Sequence, residues 1–510
     1  MLKSTYSVDA HTVLSSEIRN LLADLGKGKV DAVAYDTAWV ARLSPYYPGY
    51  GFDTALDWLR QHQHDDGTWG APQVHHHDRF ISTLAAIVAL REVGSHPRDE
   101  RRVRRGEDAL WRLVGRLGRD DSDTVGFPAL SMALADEAAN LGLDVPRAPV
   151  RYAEAYKRKI NKLLSQSTRN WRASTLTFSL EALRHSVNGD EDVLQDNHSV
   201  MISPAATAGY LMHHHNDGAL AYLASAIDDT GEGASPAFSA INIFEILWSL
   251  SRLHSAGAID PDIPDVRRLL EILWARWSPE KGISYSTDFP IEDVDDTAAC
   301  IALLKWGGYP VDPEVFAHYE ADDHFVTYHG ETNPSPSSHL RIVGALRAFP
   351  DHPKTRGWLE KALGALHRLD ENGSFWWDKW HVSPYYASNQ AIAALRNIDD
   401  DLARSRLKWI LKTQNDDGGW GYMGASTPEE TAYCLDALVE WNDNVETVDS
   451  DIMKEAALFL DAHAAANRYM PMWISKGLYT PHYIVQASIL GARYKFKNRV
   501  QLWRHKSLIT

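Results

Sequence analysis

The chain has 510 residues, of which 44% are hydrophobic and 24% are charged, and its formal net charge is −16. This length exceeds the roughly 250–300 residues at which a single hydrophobic core stops growing, so two domains are expected. The acidic net charge argues against a nucleic-acid partner. With only two cysteines the chain has no disulfide framework, which favours a reducing cytoplasm. No window has the ~20 apolar residues of a membrane span.

Helical periodicity dominates the chain. The stretch 241–253 (INIFEILWSLSRL) places Phe244, Leu247, Trp248 and Ser251 at the i, i+3, i+4, i+7 spacing of one helix face. Similar patterns occur in DRFISTLAAIVALREV, DVRRLLEILWARW and NQAIAALRNI, and Gly- and Pro-bearing turns separate them. No convincing pair of alternating strands is found. The sequence therefore predicts an all-α protein.

Two segments far apart in the chain repeat one pattern. ALDWLRQHQHDDGTWG (55–70) and RLKWILKTQNDDGGWG (406–421) share Trp, Gln, Gly and Trp at equal spacing, and LHRLDENGSFWW (366–377) is a weaker third copy. We interpret the pattern as a helix end, a glycine turn and a Trp that covers the helix end. Such units in both halves predict two similar helical toroids, and their tryptophans are expected to act as clamps and core.

Other polar segments are given structural interpretations. The histidine runs 75–77 and 213–215 are predicted to be solvated loops, because adjacent histidines do not easily share one metal ion. A composition shift at 228–238 (DDTGEGASPAF) marks the expected domain boundary. The DDTGE there spells the first metal motif of a class I terpene synthase, but it lies in a Gly-rich segment and lacks the second motif.

The stretch 291–300, IEDVDDTAAC, places four acidic side chains directly before an apolar helical run. Capping of a solvated helix N-terminus explains one or two of them, and a metal site or an acid catalyst remains open. In a helix Asp293 and Asp296 share a face, whereas Asp295 lies about 200° from Asp293. A buried Asp295 beside like charges would stay protonated, which suits proton donation to a poor base such as an alkene.

A carbocation formed in this way needs aromatic rings around it, because an anion would capture it. The run FWWDKWHVSPYY (375–386) supplies six aromatic residues. From this run we predict that the cavity is lined by Trp376, Trp377, Tyr385 and Tyr386. Core packing is the alternative interpretation for each ring.

DVDDTA, the paired Q-x3-G-x-W motifs and a length near 500 resemble bacterial class II terpene cyclases of the copalyl and halimadienyl diphosphate synthase type. AYDTAWVARL, HDRFISTLA, KINK, FSLEAL, FEILWSL, DKWHVSPYYA and EETAYC also look like family segments in family order. The resemblance implies two α/α barrels, β and γ, without a class I α domain. It places the first part of β at 1–44, with the DTAWV helix, the inserted γ at 45–239 and the rest of β at 240–510.

The resemblance also implies roles for residues. Asp295 is the general acid, Asp293 and Asp296 orient and hydrate it, and His339, 44 residues later, is its expected partner. The retained diphosphate is expected to bind Lys379 and one of Lys159 and Lys162, with Arg79 and Arg341 as weaker candidates. Magnesium is expected to accompany the diphosphate, with Glu181 as a candidate ligand.

The predicted activity is an isomerase reaction, the cyclisation of geranylgeranyl diphosphate to a bicyclic labdane- or halimane-type diphosphate. A drimenyl-type product from farnesyl diphosphate is the alternative, and an α/α-toroid glycosidase is a more distant one. A downstream class I terpene synthase or phosphatase is the expected partner. Phe178 stands where gibberellin-pathway synthases carry His, so their particular product does not carry over. Squalene and hopene cyclases share D-x-D-D-T-A but are longer, and a non-enzymatic scaffold would not need to sequester Asp295.

Overall fold

The computed structural model describes residues 8–165, 168–186, 193–329, 331 and 334–507. In these residues the chain is helical apart from one two-stranded hairpin and isolated bridges, which confirms the all-α prediction. No helix among them combines the length and apolarity needed to cross a bilayer.

After α1 (Val8–Asp24), eight α-helices and a long 3₁₀ helix, Thr175–Ser186, build an N-terminal barrel. The α-helices are α2 (Ala34–Ala41), α3 (Phe52–Gln61), α4 (His76–Val93), α5 (Asp99–Val114), α6 (Phe127–Asn140), α7 (Val150–Leu164), α8 (Pro204–Leu211) and α9 (Asp217–Thr230). Short 3₁₀ helices lie at Leu117–Arg119 and Thr168–Ala173. An inner ring runs α2, α4, α6, the long 3₁₀ helix, α8 and back to α2. Every residue of α4 from His77 to Leu90 is buried, as expected for a helix enclosed on all sides.

The remaining helices form a C-terminal barrel, whose buried apolar residues are continuous with those of the N-terminal barrel. They are α10 (Asn242–Ser255), α11 (Pro264–Arg276), α12 (Val294–Trp306), α13 (Pro336–Leu346), α14 (Thr355–Arg368), α15 (Pro384–Leu395), α16 (Asp400–Lys412), α17 (Pro428–Asn444), α18 (Ser450–Ala462) and α19 (His482–Ser507). A 3₁₀ helix, Pro313–Tyr319, follows α12. The inner ring runs α10, α12, α13, α15, α17, α19 and back to α10.

The helix contacts correct one predicted boundary. Helix α1 packs on α11 and α19 of the C-terminal barrel, as the predicted 1–44 segment requires. Helix α2, which carries the DTAWV sequence, packs instead on α3, α4 and α8. The N-terminal barrel therefore begins with α2, and the boundary at residue 44 is wrong. Sequence could not separate the two, because the short, mostly apolar α2 suits the interior of either barrel, and all eight of its residues are buried.

The repeated Gln–Gly–Trp turns have the predicted clamp structure in both barrels. Trp69 Nε1 donates to the Leu59 carbonyl at 2.8 Å, and Trp420 Nε1 donates to the Ile410 carbonyl at 2.9 Å. Gln414 donates to the carbonyls of Gly418 and Ile452 at 2.8 and 3.1 Å, and so ties its turn to α18. Each Trp thus closes the end of the preceding helix, which confirms the structural interpretation of these tryptophans.

The hairpin of β1 (Trp473–Ile474) and β2 (Leu478–Tyr479) joins the two barrels. The Val125 N–H donates to the Ser475 carbonyl at 2.8 Å. Between the barrels, Lys476 Nζ lies 2.6 Å from Glu181 Oε1, and both side chains are fully buried. The sequence analysis did not predict this hairpin, because its strands are only two residues long.

Candidate active site

A cavity of about 160 Å³ lies between the two barrels. The C-terminal barrel lines it with the N-terminal ends of α10, α12 and α15, the loop before α13, and the hairpin. The N-terminal barrel contributes Val125, just before α6, and Thr175 and Phe178 of the long 3₁₀ helix. The wall is mostly apolar and aromatic, and its polar groups are concentrated at the start of α12.

The DVDD segment forms the first turn of α12. Asp293 is the N-cap residue, and its Oδ1 accepts a hydrogen bond from the Asp296 N–H at 2.8 Å. This satisfies one of the N–H groups that every helix start leaves open. The predicted face sharing of Asp293 and Asp296 is therefore present. However, the helix start is buried rather than solvated, with 2–7% of each of the three aspartates exposed.

Asp295 lines the cavity, and its carboxyl group is partly protonated near neutral pH. Burial, with a smaller contribution from the charge of Asp293, raises the pKa of Asp295 to about 7. A hydrogen bond from Ser338 and the charge of Arg341 act in the opposite direction. Within the described part of the chain, Asp295 Oδ1 has no hydrogen-bond partner. The side chain can therefore carry a proton at neutral pH and present it to a ligand in the cavity.

Asp293 and Asp296 behave as a pair that holds one proton. Burial and the charge of Asp293 raise the pKa of Asp296 well above its usual range. Burial raises the pKa of Asp293 to about 6, although a hydrogen bond from Asp296 lowers it. Asp296 is therefore the protonated member near neutral pH, and the first turn of α12 carries less negative charge than its sequence suggests.

A chain of hydrogen bonds connects Lys379 to the acid. Lys379 Nζ donates to Thr327 Oγ1 at 3.1 Å and to Glu331 Oε1 at 2.6 Å. Thr327 Oγ1 lies 3.2 Å from Ser338 Oγ, and Ser338 is bonded to Asp295. Lys379 thus lies on the acid side of the cavity, where its charge opposes the effect of burial on the pKa of Asp293. Its contact with a diphosphate stays a prediction.

His339 does not hold the acid in this structure. Its Nδ1 donates to the Ser335 carbonyl at 2.7 Å, and its Nε2 accepts from the Phe325 N–H at 3.1 Å. Burial lowers the pKa of His339 to about 4, so the ring is neutral. With both nitrogens engaged, His339 fixes the start of α13 and the preceding loop. The hydroxyl of the neighbouring Ser338 takes the position predicted for His339.

The predicted basic residues are dispersed. The Arg341 guanidinium lies 3.7 Å from the Trp248 ring centroid and is bonded to the Tyr386 hydroxyl, so it supports the cavity wall. Arg79 is buried away from the cavity, where it donates to Thr68 Oγ1 and, at 2.8 Å, to the Pro72 carbonyl. The side chains of Lys159 and Lys162 lie outside the described residues.

Only one of the four predicted cavity aromatics lines the cavity. Tyr386 does, and its hydroxyl accepts from Trp248 Nε1 at 3.0 Å. Trp376 packs under the Arg406 guanidinium at 3.4 Å, Tyr385 stacks on Trp409 at 4.4 Å, and Trp377 packs on surrounding rings. The core interpretation holds for Trp376 and Tyr385, which are each 2% exposed, whereas Trp377 is only partly buried. The wall is instead aromatic through Phe238, Phe244, Trp248, Tyr285, Trp473 and Tyr479.

Glu181 does not fit a magnesium site. Its Oε1 accepts from Tyr35 at 3.0 Å and pairs with Lys476, which already compensates the charge of the carboxylate. Mg²⁺ requires several oxygen ligands in near-octahedral arrangement. Glu181 also lines a different cavity, of about 400 Å³, at the opposite ends of the inner helices of the N-terminal barrel. There Arg42 pairs with Glu92 and Glu137, so the charges in that larger cavity are also largely compensated.

Comparison with known proteins identifies the family. Residues 332–438 match the squalene-hopene cyclase C-terminal domain. The chain is 37% identical to a type B diterpene cyclase of Mycobacterium tuberculosis, over 93% of this chain and 97% of the relative. It is 32% identical to (+)-kolavenyl diphosphate synthase of Herpetosiphon aurantiacus, over 94% and 97%. The structure matches ent-copalyl diphosphate synthase from Streptomyces platensis with a TM-score of 0.78, 25% identity and coverage of 96% and 99%. The chain belongs to the class II terpene cyclases.

Several site residues were not predicted from the sequence. Ser338, in α13, and Thr327, in the loop before it, were not singled out in the sequence. Trp473 and Tyr479 belong to the unpredicted hairpin. Trp248 and Phe244 were noted only as one face of a helix. A signal did exist for these last two, because a helix of an α/α barrel with aromatic residues in its first turns can point them into the barrel mouth.

Proposed function

We propose that this enzyme cyclises a linear C20 isoprenyl diphosphate to a bicyclic labdane- or halimane-type diphosphate and retains the diphosphate. One observation supports this above all others. Asp295, a buried carboxyl group with a pKa raised to about 7, lines an aromatic cavity and has an unbonded oxygen. A neutral carboxylic acid in a site without water is strong enough to protonate an alkene.

The first step transfers the proton of Asp295 to the less substituted carbon of the distal double bond, so that the positive charge develops on the carbon that bears the two methyl groups. The O–H bond breaks, a C–H bond forms, and a tertiary cation results. The hydrogen bond from Ser338 and the charge of Arg341 stabilise the carboxylate left behind. Attack of the next double bonds on the cation closes two rings, and loss of a proton ends the sequence.

The cavity wall suits the cation that follows. The rings of Trp248, Tyr386 and Trp473 present π faces and edges without a nucleophilic anion. Because Asp296 holds a proton, the group of three aspartates carries one negative charge fewer than its sequence suggests when the cation forms. The Trp248 and Tyr386 side chains are bonded to each other, so this part of the wall is rigid.

The diphosphate is proposed to bind at the barrel interface, with Lys379 and one of Lys159 and Lys162 as basic partners. Magnesium is proposed to enter with the diphosphate oxygens, because Glu181 is compensated by Lys476. A product that still carries its diphosphate suits a downstream class I terpene synthase or a phosphatase.

The test incubates the purified chain separately with geranylgeranyl and farnesyl diphosphate. Products are dephosphorylated and identified by mass spectrometry. We expect a bicyclic C20 alcohol from the wild type, and a loss of at least roughly 10²-fold in turnover for Asp295→Asn. The matched control is Asp451→Asn, the same change in the first turn of α18, where the carboxyl group is exposed. Turnover of farnesyl diphosphate alone would favour the drimenyl alternative, and near-wild-type activity of Asp295→Asn would refute the acid.

A further inference from the structure

The histidines 75–77 are not the solvated loop that their sequence suggested. His75 is the N-cap residue of α4, and His75 and His77 are 3% and 0% exposed. One ring nitrogen from each and a carboxylate oxygen of Asp120 lie within 4.8 Å of one another. In the described residues this is the single group of at least three histidine, cysteine or acidic side chains that is arranged to hold a metal ion. It lies in the N-terminal barrel and has no part in the proposed proton transfer.

The hydrogen bonds around this group have the arrangement of a metal site with supporting residues. His77 Nδ1 lies 2.7 Å from Asp120 Oδ2, and His75 Nδ1 lies 3.6 Å from the same oxygen. The other nitrogen of His77 lies 2.9 Å from Asp123 Oδ1. A ligating histidine almost always has its second nitrogen bonded to a carboxylate or carbonyl, which orients the ring. Asp120 Oδ1 lies 2.6 Å from His76 Nδ1, which orients the carboxylate in the same way.

A second observation points to a missing ligand. Nδ1 of His75 accepts a hydrogen bond from the Asp78 N–H at 3.3 Å, whereas Nε2 is buried and has no partner in the described part of the structure, so Nε2 is the nitrogen left to bind an ion. A buried polar atom without a partner destabilises the folded state, and an ion bound to Nε2 satisfies it. Two imidazoles and a carboxylate are the ligands that Zn²⁺ prefers, whereas Mg²⁺ prefers oxygen alone.

We propose that His75, His77 and Asp120 form a Zn²⁺ site that fixes the segment 120–125 to the start of α4. Five residues after Asp120, Val125 lines the cavity and donates to the hairpin at Ser475. An ion bound to Asp120 therefore helps to hold Val125 in its place in the cavity wall. The zinc proposal does not rest on the proposed reaction, because His75, His77 and Asp120 take no part in the proton transfer from Asp295.

The test titrates the chelator-treated full-length chain with zinc chloride by calorimetry and repeats the titration with magnesium chloride. We expect a single zinc ion per chain, no comparable magnesium binding, and a higher melting temperature with zinc. His77→Asn should weaken zinc binding at least roughly tenfold. The matched control is His215→Asn, in the second histidine run, where His215 pairs with Asp217 at the surface. Its zinc affinity should equal that of the wild type.

Asp120→Asn, which keeps the size of the side chain, is a second variant in case His77→Asn fails to fold. Far-UV circular dichroism checks the fold of each variant before titration. Cobalt(II) substituted for zinc should give the strong visible absorption of a low-coordinate N/O site in the wild type and lose it in Asp120→Asn. Absence of stoichiometric zinc binding, or equal binding by the wild type and both site variants, would overturn the proposal.

Discussion

A carboxyl group protonates carbon only where the protein withholds the water and cations that would keep it ionised. At Asp295 burial is the largest influence, and it is stronger than the opposing effects of Ser338 and Arg341. The residue lies in the first turn of α12, between two aspartates that already share a proton. The ability of Asp295 to keep a proton near neutral pH therefore follows from the environment of α12 rather than from any special residue type.

The first prediction concerns pH. Asp295 is active when protonated and its pKa is raised to about 7, so activity should be present below that value and lost as pH rises through it. We expect kcat to level off on the acid side and to fall about tenfold per pH unit on the alkaline side. The measurement is a pH–rate profile at saturating substrate. A kcat that increases with pH across the same range would contradict the assignment.

The second prediction separates Ser338 from His339. The Ser338 hydroxyl lowers the pKa of Asp295, so Ser338→Ala should move the alkaline limb of the profile to higher pH. His339→Asn should lower thermal stability, because it disturbs the bonds to Ser335 and Phe325, and should leave the midpoint of the limb unchanged. A shifted midpoint in His339→Asn with none in Ser338→Ala would restore the role first predicted for His339.

Among the structural elements, the Gln–Gly–Trp turns determine how each barrel closes. Gly418 has φ +81°, and a Cβ there would lie 2.8 Å from the Glu455 carbonyl oxygen. Gly424 also has a positive φ, of +106°, but a Cβ there meets nothing within 4 Å. Comparison of Gly418 with Gly424 therefore distinguishes the cost of a left-handed backbone from the additional cost of a steric clash.

The third prediction uses this pair. Gly424→Ala should cost about 1–2 kcal/mol of unfolding free energy through its left-handed backbone alone. Gly418→Ala should cost about 1–3 kcal/mol more, because the turn must move away from α18. Urea denaturation of both variants measures the difference. Equal destabilisation would show that the close contact at Gly418 relaxes without cost.

Sequence patterns predicted the structural elements well where the structure depends on residues close together in the chain. The DVDD segment contains both a cap and the acid, and the Gln–Gly–Trp spacing predicts its own hydrogen bonds. The cavity wall was predicted poorly, because its rings come from α10, α15 and a two-residue hairpin that meet only in three dimensions. The run 375–386 looked like the wall in sequence, yet Trp376 and Tyr385 point into helix packing beside Arg406 and Trp409.

On the scale of the whole molecule, the aromatic cavity at Asp295 exists because two barrels are held together. The fully buried pair of Glu181 and Lys476 crosses the interface, and Lys476 also lies 4.5 Å from the ring centroid of Phe178 in the cavity wall. Ser203 accepts a further hydrogen bond from Lys476 at 2.7 Å. This pair therefore couples the position of the N-terminal barrel to the shape of the cavity.

The fourth prediction tests that coupling. Lys476→Met leaves Glu181 as a buried charge without its partner and should cost about 3–5 kcal/mol. Adding Glu181→Gln removes the charge and should restore most of the loss. Thermal unfolding of the single and double variants gives the comparison. A double variant as unstable as Lys476→Met alone would mean that the contacts of the lysine, and not its charge, hold the barrels.

The most direct test of proton-initiated cyclisation is the reaction in heavy water. The enzyme is incubated with geranylgeranyl diphosphate in D₂O, and the intact product is analysed by mass spectrometry and NMR without dephosphorylation. The account predicts a bicyclic diphosphate that carries a single deuterium on the ring methylene next to the carbon with the two geminal methyl groups, because this methylene is the protonated carbon of the distal double bond. A product without solvent deuterium at that position, or release of inorganic diphosphate during turnover, would contradict it.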